Sequence, residues 1–519
     1  MNGAQRLLTT LTESGVDVCF ANPGTSEMHF VAAMDDVPSM RGVLALFEGV
    51  ATGAADGYGR VTGRPAAVLL HLGPGLGNGI ANLHNARRAG SPVLTIVGEH
   101  ATTHQQFDAP LQSDIAALAG NVSQFVRTTN HVADLEQDAR DGVAAAIGPP
   151  SGVATLILPA DVSWSEAGEG SAPSNSRTAT SIDPADLKAV ADALRRANHA
   201  VILVGGPATR EDAVRHAVRC ADAVGAQLLS ETFPPFTRRG AGAVAVERVS
   251  YLGEFAASQF AEADLIVTVG AHVPATFFAY PNMASDLVPD GAALMELGVS
   301  TTDAQTTLAA LAEELGAAST PGSIIEADQP EPPTGALTGA SLAQAVAATL
   351  GEGTIVVDES NTGGIYLAGA TKGAPSHDWL TLTGGAIGYG MPAAIGAAIG
   401  APDQRVLCLE SDGSAMYTIQ ALWTMARENL NITTVILSNR SYAILTMELA
   451  RVGARSDAKA AQELLDLENP TLNFVSIAEG MGIAARRVET ADGLVAALQD
   501  SVAKPGPMLI EAMLPKGLS

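Results

Sequence analysis

Residues 405–442 read RVLCLESDGSAMYTIQALWTMARENLNITTVILSNRSY. The apolar runs 405–409 and 432–438 are typical of short buried strands, and the stretch between them is typical of a helix. This order predicts a strand–helix–strand unit whose two parallel strands end at the same edge of one sheet. Asp412 follows the first strand and Asn439 follows the second, so we expect these two side chains to be neighbours.

The two polar strand ends fit a magnesium site. Mg²⁺ prefers oxygen ligands in near-octahedral geometry and commonly combines a carboxylate, neutral oxygens and phosphate oxygens. Asp412, the amide oxygen of Asn439 and a main-chain carbonyl near Ser441 would supply the protein's share. Gly413 and Ser414 open the intervening helix, where free N–H groups and the helix dipole favour a phosphate. The alternative is that these are ordinary turn residues.

A second candidate site lies near the amino terminus. Residues 44–60 read LALFEGVATGAADGYGR, which places the acid Glu48 at the start of a helix made almost wholly of small and apolar residues. We expect Glu48 to be partly buried, and a buried carboxylic acid is suited to sharing a proton with a ring nitrogen. The alternative is an acid that interacts with the helix dipole.

Together these segments resemble the cofactor motifs of thiamine-diphosphate-dependent decarboxylases and synthases. The family's metal motif runs from Gly-Asp-Gly to Asn-Asn, and Ser411 and Ser438 stand here in place of its first Gly and first Asn. Asp412 and Asn439 keep the ligand types. The resemblance implies that Glu48 hydrogen-bonds the aminopyrimidine ring of thiamine diphosphate and activates the cofactor, which attacks a 2-oxo acid so that carbon dioxide leaves.

Other segments of the first third extend the resemblance towards the substrate. Thr25, in an Asn-Pro-Gly-Thr loop, and His71, after an apolar run, stand where benzoylformate decarboxylase has a hydroxyl residue and a histidine that face the substrate. A structural histidine is the alternative for His71. Gln112 and the Gly-Pro-Gly at 73–75 look more like the acetolactate synthase branch, in which the glutamine lies by the cofactor.

The resemblance also covers the last third of the chain. It implies that the Gly385 carbonyl faces the aminopyrimidine and that Ile387 is the apolar wedge that bends the cofactor, with a plain core residue as the alternative. The cofactor-binding residues that it implies, besides Glu48, are Asn361, Thr362, Gly385, Ile387, Gly413, Ser414 and Tyr442, and the metal ligands are Asp412, Asn439 and Ser441.

The leading hypothesis is a thiamine-diphosphate- and Mg²⁺-dependent, non-oxidative 2-oxo acid decarboxylase or carboligase of the benzoylformate decarboxylase type. The second active-site histidine of that enzyme would fall near 277–281, where this chain reads FFAYP. We therefore do not expect benzoylformate itself to be the substrate. His100 and His104 are candidates for the missing acid–base group, and two solvated loop histidines are the alternative.

Two other functions stay open. An acetolactate-synthase-like transferase, which would condense two 2-oxo acids, is motivated by Gln112. A non-catalytic or regulatory relative that binds the cofactor weakly is motivated by Ser411 and Ser438. FAD is possible in the middle of the chain, although no compact motif indicates it. A nicotinamide site is disfavoured, because the glycines of 73–79 do not match the G-x-G-x-x-G fingerprint.

Alternating strand-like and helix-like runs, with many glycines between them, predict an α/β protein. At 519 residues we expect three doubly wound parallel-sheet domains. The resemblance identifies 1–165 as a pyrimidine-binding domain, 182–326 as a middle Rossmann-like domain and 338–519 as a diphosphate-binding domain. Linkers that are polar at 163–176 and Pro-rich at 328–335 separate them.

Charge and composition exclude several classes. A net charge of −26 without basic clusters argues against nucleic acid as a partner. The chain contains no run of ~20 apolar residues that could span a membrane, and its start does not resemble a signal peptide. The dispersed cysteines Cys19, Cys220 and Cys408 indicate neither a disulfide framework nor a metal site, so we predict a cytoplasmic protein.

The resemblance has a quaternary consequence. In this family the glutamate corresponding to Glu48 and the diphosphate site that serve one cofactor come from different subunits. We therefore expect a homodimer or a homotetramer with shared active sites. The stretch 446–469 is polar and Ala-rich and is a candidate for a helix or a lid over the substrate. One sequence does not position the side chains that would select a particular 2-oxo acid.

Overall fold

Three stretches of the chain each form a sheet with helices packed on it. The computed structural model describes residues 1–168, 178–298, 301–319, 321–455 and 457–517. The apolar runs become buried strands, and amphipathic or small-residue helices cover them, as expected for an α/β protein. Of the predicted polar linker at 163–176, residues 163 and 164 close helix α7, and 169–176 lie outside the described residues.

The amino-terminal stretch contains a parallel sheet in the order β2-β1-β3-β4-β6-β5 among its described residues. Strand β3 is buried along its whole length, which fits its central position. The elements are α1 (Gly3–Glu13), β1 (Val18–Ala21), α2 (Met28–Ala33), β2 (Arg41–Leu44), α3 (Glu48–Thr62), β3 (Ala66–Leu70), α4 (Leu72–Ala89), β4 (Val93–Glu99), α5 (Ile115–Gly120), β5 (Phe125–Thr128), α6 (Leu135–Ile147), β6 (Val153–Pro159) and α7 (Ala160–Trp164).

The middle stretch contains a second parallel sheet in the order β10-β8-β7-β11-β12. Its central strands β7 and β11 are fully buried, and helices pack on both faces. The elements are α8 (Pro184–Arg196), β7 (Ala200–Val204), α9 (Glu211–Val224), β8 (Gln227–Ser230), β9 (Thr237–Arg239), β10 (Glu247–Arg248), α10 (Gly253–Phe260), β11 (Leu265–Val269), β12 (Ala293–Glu296) and α11 (Ala304–Glu314).

The carboxy-terminal stretch contains the third sheet, in the order β17-β18-β16-β15-β13-β14-β9. Its elements are α12 (Gly339–Thr349), β13 (Ile355–Glu359), α13 (Leu367–Ala370), β14 (His377–Thr381), α14 (Gly390–Gly400), β15 (Val406–Ser411), α15 (Asp412–Ala415), α16 (Ala421–Arg427), β16 (Ile432–Ser438), α17 (Ala443–Arg451), α18 (Lys459–Leu465), α19 (Phe474–Gly480), β17 (Ala484–Val488), α20 (Ala491–Ala503) and β18 (Met508–Met513). The predicted α/β class with three parallel-sheet domains is confirmed, and the exact boundaries stay a prediction.

Strand β9 departs from the predicted purely parallel arrangement. It comes from the middle stretch but pairs antiparallel with β14 of the carboxy-terminal sheet, with Thr237 opposite Trp379 and Arg239 opposite His377. Its three residues are polar or charged and half-buried, which suits a short edge strand. The middle stretch therefore contributes one strand to the sheet that carries the candidate cofactor site.

Helices α3 and α14 join the first and third sheets through close backbone contact. A Cβ atom added to Gly57 would lie 2.1 Å from the Ala393 carbonyl oxygen, and one added to Gly396 would lie 1.8 Å from the Ala54 oxygen. Glycine is therefore required at both positions by the close approach of the two backbones. This packing fixes the helix that begins at Glu48 against the carboxy-terminal unit.

A buried ion pair strengthens the same junction. Asp56 and Arg60 lie one helical turn apart in α3, with 2.6 Å between Oδ2 and Nη2. Arg60 also donates to the carbonyl oxygen of Thr381 at 2.6 Å and to the hydroxyl of Thr383 at 2.9 Å. These bonds satisfy a guanidinium that burial would otherwise penalise, and they hold the chain just before residue 384.

No helix in the described part of the chain is long and apolar enough to cross a membrane.

Candidate active site

The ends of β15 and β16 bring the two predicted metal ligands to one edge of the third sheet. The strands are parallel neighbours, with Ser411 opposite Leu437. Asp412 is buried, and its carboxylate accepts hydrogen bonds from the N–H groups of Gly413 at 2.8 Å and Arg440 at 2.6 Å. The Arg440 contact crosses from the end of one strand to the end of the next. It places Asp412 directly beside Asn439 in the folded chain.

The segment between these strands differs from the predicted single helix. Gly413 and Ser414 lie in the short helix α15, and the longer helix α16 starts only at Ala421. Gly413 and Ser414 therefore open a separate short helix and not the longer one between the two strands. Asp412 ties this first turn to the neighbouring strand end by accepting from the N–H of Arg440.

The donor set at this edge fits a magnesium ion. Burial raises the pKa of Asp412, and no lysine or arginine side chain within the described ranges lies at ion-pair distance from it. A divalent cation would offset that desolvation. The Asn439 amide oxygen accepts from the N–H of Ser441 at 3.0 Å and retains a second lone pair. The described residues contain no group of three His, Cys, Asp or Glu that could hold a metal ion, so a carboxylate with neutral oxygens is the available set.

Polar groups for a diphosphate converge on the same edge. The Asn361 amide donates to the hydroxyls of Ser411 at 2.9 Å and Ser414 at 3.0 Å, from a left-handed backbone conformation with φ of +48°. Thr362 lies on the same turn. A Cβ atom on Gly413 would meet the Tyr442 ring at 2.5 Å, so the ring packs directly on this glycine. The structure thus brings together the implied diphosphate-binding residues.

The substitution of serine for the family's first glycine causes no backbone strain. Ser411 has φ of −73° and ψ of 147°, an extended conformation that any residue adopts. Its hydroxyl donates to the Glu359 carbonyl oxygen at 2.9 Å. Ser438 is buried, and its carbonyl oxygen accepts from the N–H of Leu514 at 3.0 Å. Both serines fit the strand ends without displacing Asp412.

Residues 384–388 are held by two asparagines on α4 that sequence reasoning missed. Asn85 exchanges two hydrogen bonds with the main chain of Ala386, at 2.8 and 3.1 Å. Asn82 donates to the carbonyl oxygens of Gly49 at 2.8 Å and Gly388 at 3.0 Å. The segment next to Glu48 and the segment next to Ile387 are therefore linked through one amide. Two asparagines spaced by three residues on an otherwise apolar helix face were the available signal.

Within this segment, Gly385 has the left-handed φ of +72° that its type permits. A Cβ atom there would lie 3.1 Å from the ring of Phe277 in the middle unit. Ile387 is half-buried and packs against the core of the first and third sheets, so one part of it stays accessible. This arrangement is compatible with an apolar wedge beside a bound ring.

Glu48 is the first residue of α3 and is half-buried, as expected from the sequence. Its Oε2 accepts a hydrogen bond from the Asn78 amide at 3.1 Å. Asn78 belongs to α4, the helix that also carries Asn82 and Asn85. One helix thus positions both Glu48 and the segment that would contact the aminopyrimidine.

Comparisons with known proteins agree with this geometry. The family model "Thiamine pyrophosphate enzyme, N-terminal TPP binding domain" matches residues 1–120, and "Thiamine pyrophosphate enzyme, C-terminal TPP binding domain" matches 364–512. "Putative acetolactate synthase large subunit IlvX" of Mycobacterium tuberculosis H37Rv is 57% identical over 516 residues, 99% of each chain. The chain belongs to the thiamine pyrophosphate enzyme family.

More distant relatives cover the same length. Benzoylformate decarboxylase of Pseudomonas aeruginosa is 29% identical over 540 residues, which cover 96% of each chain. The thiamine diphosphate-dependent 4-hydroxybenzoylformate decarboxylase of Rhodococcus jostii RHA1 has the same fold, with a TM-score of 0.86 at 24% identity over the full length of both chains. The predicted family, enzyme class and thiamine diphosphate cofactor are confirmed. The two named branches, decarboxylase and acetolactate synthase, are both represented.

In this thiamine pyrophosphate enzyme, His71 is paired with a buried acid that sequence reasoning missed. His71 Nδ1 lies 3.0 Å from Oε2 and 3.2 Å from Oε1 of Glu27, which is 2% exposed. Burial raises the pKa of Glu27, and the nearby His71 acts in the opposite direction. The same carboxylate accepts from the N–H of Gly24 at 2.8 Å and so fixes the loop that exposes Thr25. The feature of the sequence that could have pointed to Glu27 is its place two residues after Thr25.

The loop after β4 contains unpaired buried polar atoms. Within the described structure, Gln112 Oε1, Ser113 Oγ and His100 Nε2 are buried without a hydrogen-bond partner. Ser113 packs on the start of α4, where a Cβ on Gly73 would lie 1.9 Å from its hydroxyl. His104 is exposed, as expected of a solvated loop histidine, whereas His100 is half-buried with its ring 5.2 Å from that of His104. Gln112 and His100 are thus available for a ligand.

The region 277–281 contains aromatic rings where the benzoylformate decarboxylase type has a histidine. Phe277 contacts the rings of Phe233, Tyr251 and Phe278, with centroid distances of 4.8 to 5.6 Å. Such ring pairs stabilise each other in edge-to-face geometry. Phe277 and Phe278 are exposed, so this region presents an apolar surface.

Two buried glutamates, Glu359 and Glu410, lie beside the turn at 388–390. Glu359 accepts hydrogen bonds from the N–H groups of Gly388, Tyr389 and Gly390 at 2.6 to 2.8 Å. Burial raises the pKa of Glu359 to about 7, and burial together with the neighbouring Glu359 raises that of Glu410 well above its usual range. Ionising both of two adjacent buried carboxylates requires a large free energy, so the pair retains a proton at neutral pH.

The glutamate pair predicts a pH-dependent stability. Each carboxyl group binds its proton more tightly in the folded than in the unfolded chain, whose carboxyls titrate near 4.5. We therefore expect the free energy of unfolding of the cofactor-free enzyme to fall as pH rises from 4.5 to about 7, by up to about 1.4 kcal/mol per pH unit and per proton. Denaturant titrations at several pH values should show a flatter profile for Glu410→Gln. Exposed Glu463→Gln is the control, and matching profiles of Glu410→Gln and wild type would contradict the assignment.

Proposed function

We propose that this enzyme is a thiamine-diphosphate- and Mg²⁺-dependent, non-oxidative 2-oxo acid decarboxylase or carboligase. The observation that supports this activity best is the pair formed by His71 and buried Glu27, with 3.0 Å between Nδ1 and Oε2. An imidazole held by a carboxylate can move a proton at neutral pH. It stands at the start of α4, the helix that also holds Glu48 through Asn78, and in this proposal it lies near the reacting end of the cofactor.

The cofactor, when bound, supplies the electron sink that decarboxylation of a 2-oxo acid requires. Asp412, Asn439 and the Ser441 carbonyl would hold Mg²⁺. The diphosphate would lie against the turns that carry Asn361, Thr362, Gly413, Ser414 and Tyr442. Gly385 and Ile387 would position the aminopyrimidine, and Glu48 would hold the proton shared with its ring nitrogen.

In this assignment His71 and Thr25 face the substrate. In the tautomer whose Nδ1–H donates to Glu27, the other ring nitrogen, Nε2, is left to exchange a proton with a substrate oxygen or carbon. The aromatic group around Phe277 is apolar and partly exposed, and it provides no second imidazole. Proton transfer therefore depends on His71, with His100 as the additional candidate in the loop after β4.

An acetolactate-synthase-like transferase is the second candidate. It is favoured by the side chain of Gln112, whose buried Oε1 has no partner among the described residues and whose amide N–H groups could donate to the oxygens of a second 2-oxo acid. The name of the Mycobacterium tuberculosis relative also favours it. In that reaction the acyl group passes to another 2-oxo acid instead of leaving as an aldehyde. The two candidates share the first decarboxylation and differ in its product. FAD forms no part of either proposal.

We expect His71→Ala to lower kcat/KM for decarboxylation by about 100-fold or more and to leave thiamine diphosphate affinity unchanged. A screen of 2-oxo acids, which follows carbon dioxide release and identifies aldehydes, hydroxyketones and 2-hydroxy-2-alkyl-3-oxo acids, measures both the rate and the branch. Exposed His104→Ala is the matched control. Full activity of His71→Ala would refute the proton-transfer role, and exclusive condensation products that Gln112→Ala abolishes would favour the transferase.

A shared site between subunits is also part of the proposal. Large apolar side chains next to the diphosphate-binding turns are exposed, as expected of an interface. They are Ile365, Tyr366, Met416, Tyr417 and Leu445. A homodimer or homotetramer would cover these side chains. Sedimentation that shows a fully active monomer would exclude a site shared between subunits.

The buried, free cysteines support a cytoplasmic location for the proposed enzyme.

A further inference from the structure

A cavity of about 590 Å³ lies between the middle unit and the carboxy-terminal unit. Its wall on one side comes from β8, the start of α9 and the segment 237–248, and on the other side from Ala368 and Lys372. This volume is in the range that binds a small metabolite. None of the residues assigned above to thiamine diphosphate, Mg²⁺ or substrate lines it.

The cavity is positively charged in a strongly acidic protein. Four basic and two acidic side chains line it, whereas the whole chain has a net charge of −26. The basic residues are Arg238, Arg239, Arg248 and Lys372, and the acidic residues are Glu211 and Glu247. Charge of one sign, concentrated in a concave site with low-dielectric walls, attracts ligands of the opposite sign.

Three of the four cations have no acid to neutralise them. Arg238 is paired with Asp378 at 2.5 Å between Nε and Oδ1. In the part of the chain that the structure describes, no carboxylate lies at ion-pair distance from Arg239, Arg248 or Lys372. The excess positive charge therefore belongs to these three side chains.

Arg239 and Arg248 repel each other. The Arg239 guanidinium stacks on the Trp379 ring at 4.8 Å and donates to the Ala368 carbonyl oxygen at 2.6 Å. Burial and the charge of Arg248 lower the pKa of Arg239 to about 10, and Asp358 acts in the opposite direction. Holding two like charges beside one cavity is costly, and an anion between them would offset that cost.

The remaining wall is mostly aliphatic, with the hydroxyl residues Thr209, Ser230 and Thr237 among its members. Its aliphatic side chains are those of Val204, Val214, Leu228, Val244, Val246 and Ile325. A bare inorganic ion would leave this surface in contact with water, whereas a ligand with a hydrocarbon body would bury it. The combination of an apolar wall with a cationic end is typical of sites for amphiphilic anions.

We propose that this cavity is a second ligand site that binds a small organic anion, with its charged group between Arg239, Arg248 and Lys372 and its hydrocarbon body on the aliphatic wall. The bidentate donors of two guanidiniums suit either a carboxylate or a phosphate. Because Lys372 and Arg248 belong to different units, a bound anion bridges the middle and carboxy-terminal units. It therefore stabilises their junction by mass action.

The test uses the full-length enzyme saturated with thiamine diphosphate and Mg²⁺, so that the active site is occupied. Calorimetric titrations and thermal unfolding with hexanoate, hexyl phosphate, inorganic phosphate and neutral hexanol separate the contributions of charge and hydrocarbon. We expect hexanoate or hexyl phosphate to bind and raise Tm, and hexanol not to bind. Whichever of hexanoate and hexyl phosphate binds with the lower Kd indicates whether the natural ligand carries a carboxylate or a phosphate.

Variants locate the binding. Arg248→Gln combined with Lys372→Gln should raise the Kd for the preferred anion by at least about tenfold, because two charge-assisted contacts are lost. Neither side chain is fully buried, so this variant should fold. Lys188→Gln on exposed α8 removes a charge elsewhere and should change nothing. Glu48→Gln should also leave anion binding intact. Equal affinity of the double variant and wild type, or no binding of any anion, would overturn the proposal.

Discussion

Glu48→Gln lowers turnover of the preferred 2-oxo acid by about 10²- to 10⁴-fold and leaves the affinities for thiamine diphosphate and Mg²⁺ nearly unchanged. The side chain begins α3, is half-buried and receives one hydrogen bond from Asn78 at 3.1 Å. Glutamine keeps the size of glutamate and accepts the same bond, but it cannot hold the proton of a ring nitrogen. Only the rate of the step that needs this proton should fall.

Steady-state rates and calorimetric titrations on the same preparations separate these effects. Asp186→Asn, which changes an exposed acid in the first turn of α8, is the matched control and should be fully active. Asn78→Ala should give an intermediate loss, because it leaves the acid in place but frees its orientation. Wild-type turnover of Glu48→Gln would mean that the acid acts only on the helix dipole.

Asp412→Ala should raise the Kd for thiamine diphosphate at a fixed Mg²⁺ concentration by about 100-fold or more. The variant removes the only carboxylate among the implied metal ligands and also leaves the N–H groups of Gly413 and Arg440 without their acceptor. A metal ion without this ligand loses both charge and geometry. Calorimetric titration of the cofactor with and without Mg²⁺ measures the effect.

Two controls accompany this variant. Asp403→Asn changes an exposed acid just before β15 and should bind the cofactor normally. Ser411→Gly restores the family's glycine and should change affinity only a few-fold, because the backbone there is already extended. A large gain in affinity for Ser411→Gly would support a weakly binding, non-catalytic relative. Unchanged binding by Asp412→Ala would remove the magnesium site.

The fold could be predicted where the apolar pattern is long and regular. The runs at 405–409 and 432–438 became β15 and β16, because continuous apolar residues bounded by turns are buried as parallel strands. Strand β9 could not be predicted from the same pattern. Its residues read TRR, have no apolar alternation, and form a strand only because β14 offers a free edge.

The candidate site divides in the same way. Asp412, Asn439 and Glu48 could be proposed because each stands at the end or start of a recognisable element. The acid of Glu27 was visible beside Thr25, but its role and that of Glu359 could not be predicted. Both roles depend on partners that the chain brings from far away in sequence, His71 and the turn 388–390. Burial, which raises the pKa of both acids, is likewise a property of the folded chain.

The antiparallel pairing of β9 with β14 limits how this protein can be recombined. A chimaera that exchanges the middle unit for that of a homologue, with junctions near 182 and 326, would import a foreign edge for the carboxy-terminal sheet. A fragment that starts at 338 would leave β14 as a bare edge, open to pairing with other chains. The three units are therefore better regarded as one interlaced assembly than as exchangeable modules, and any shuffling experiment must carry Thr237–Arg239 with the sheet that it closes.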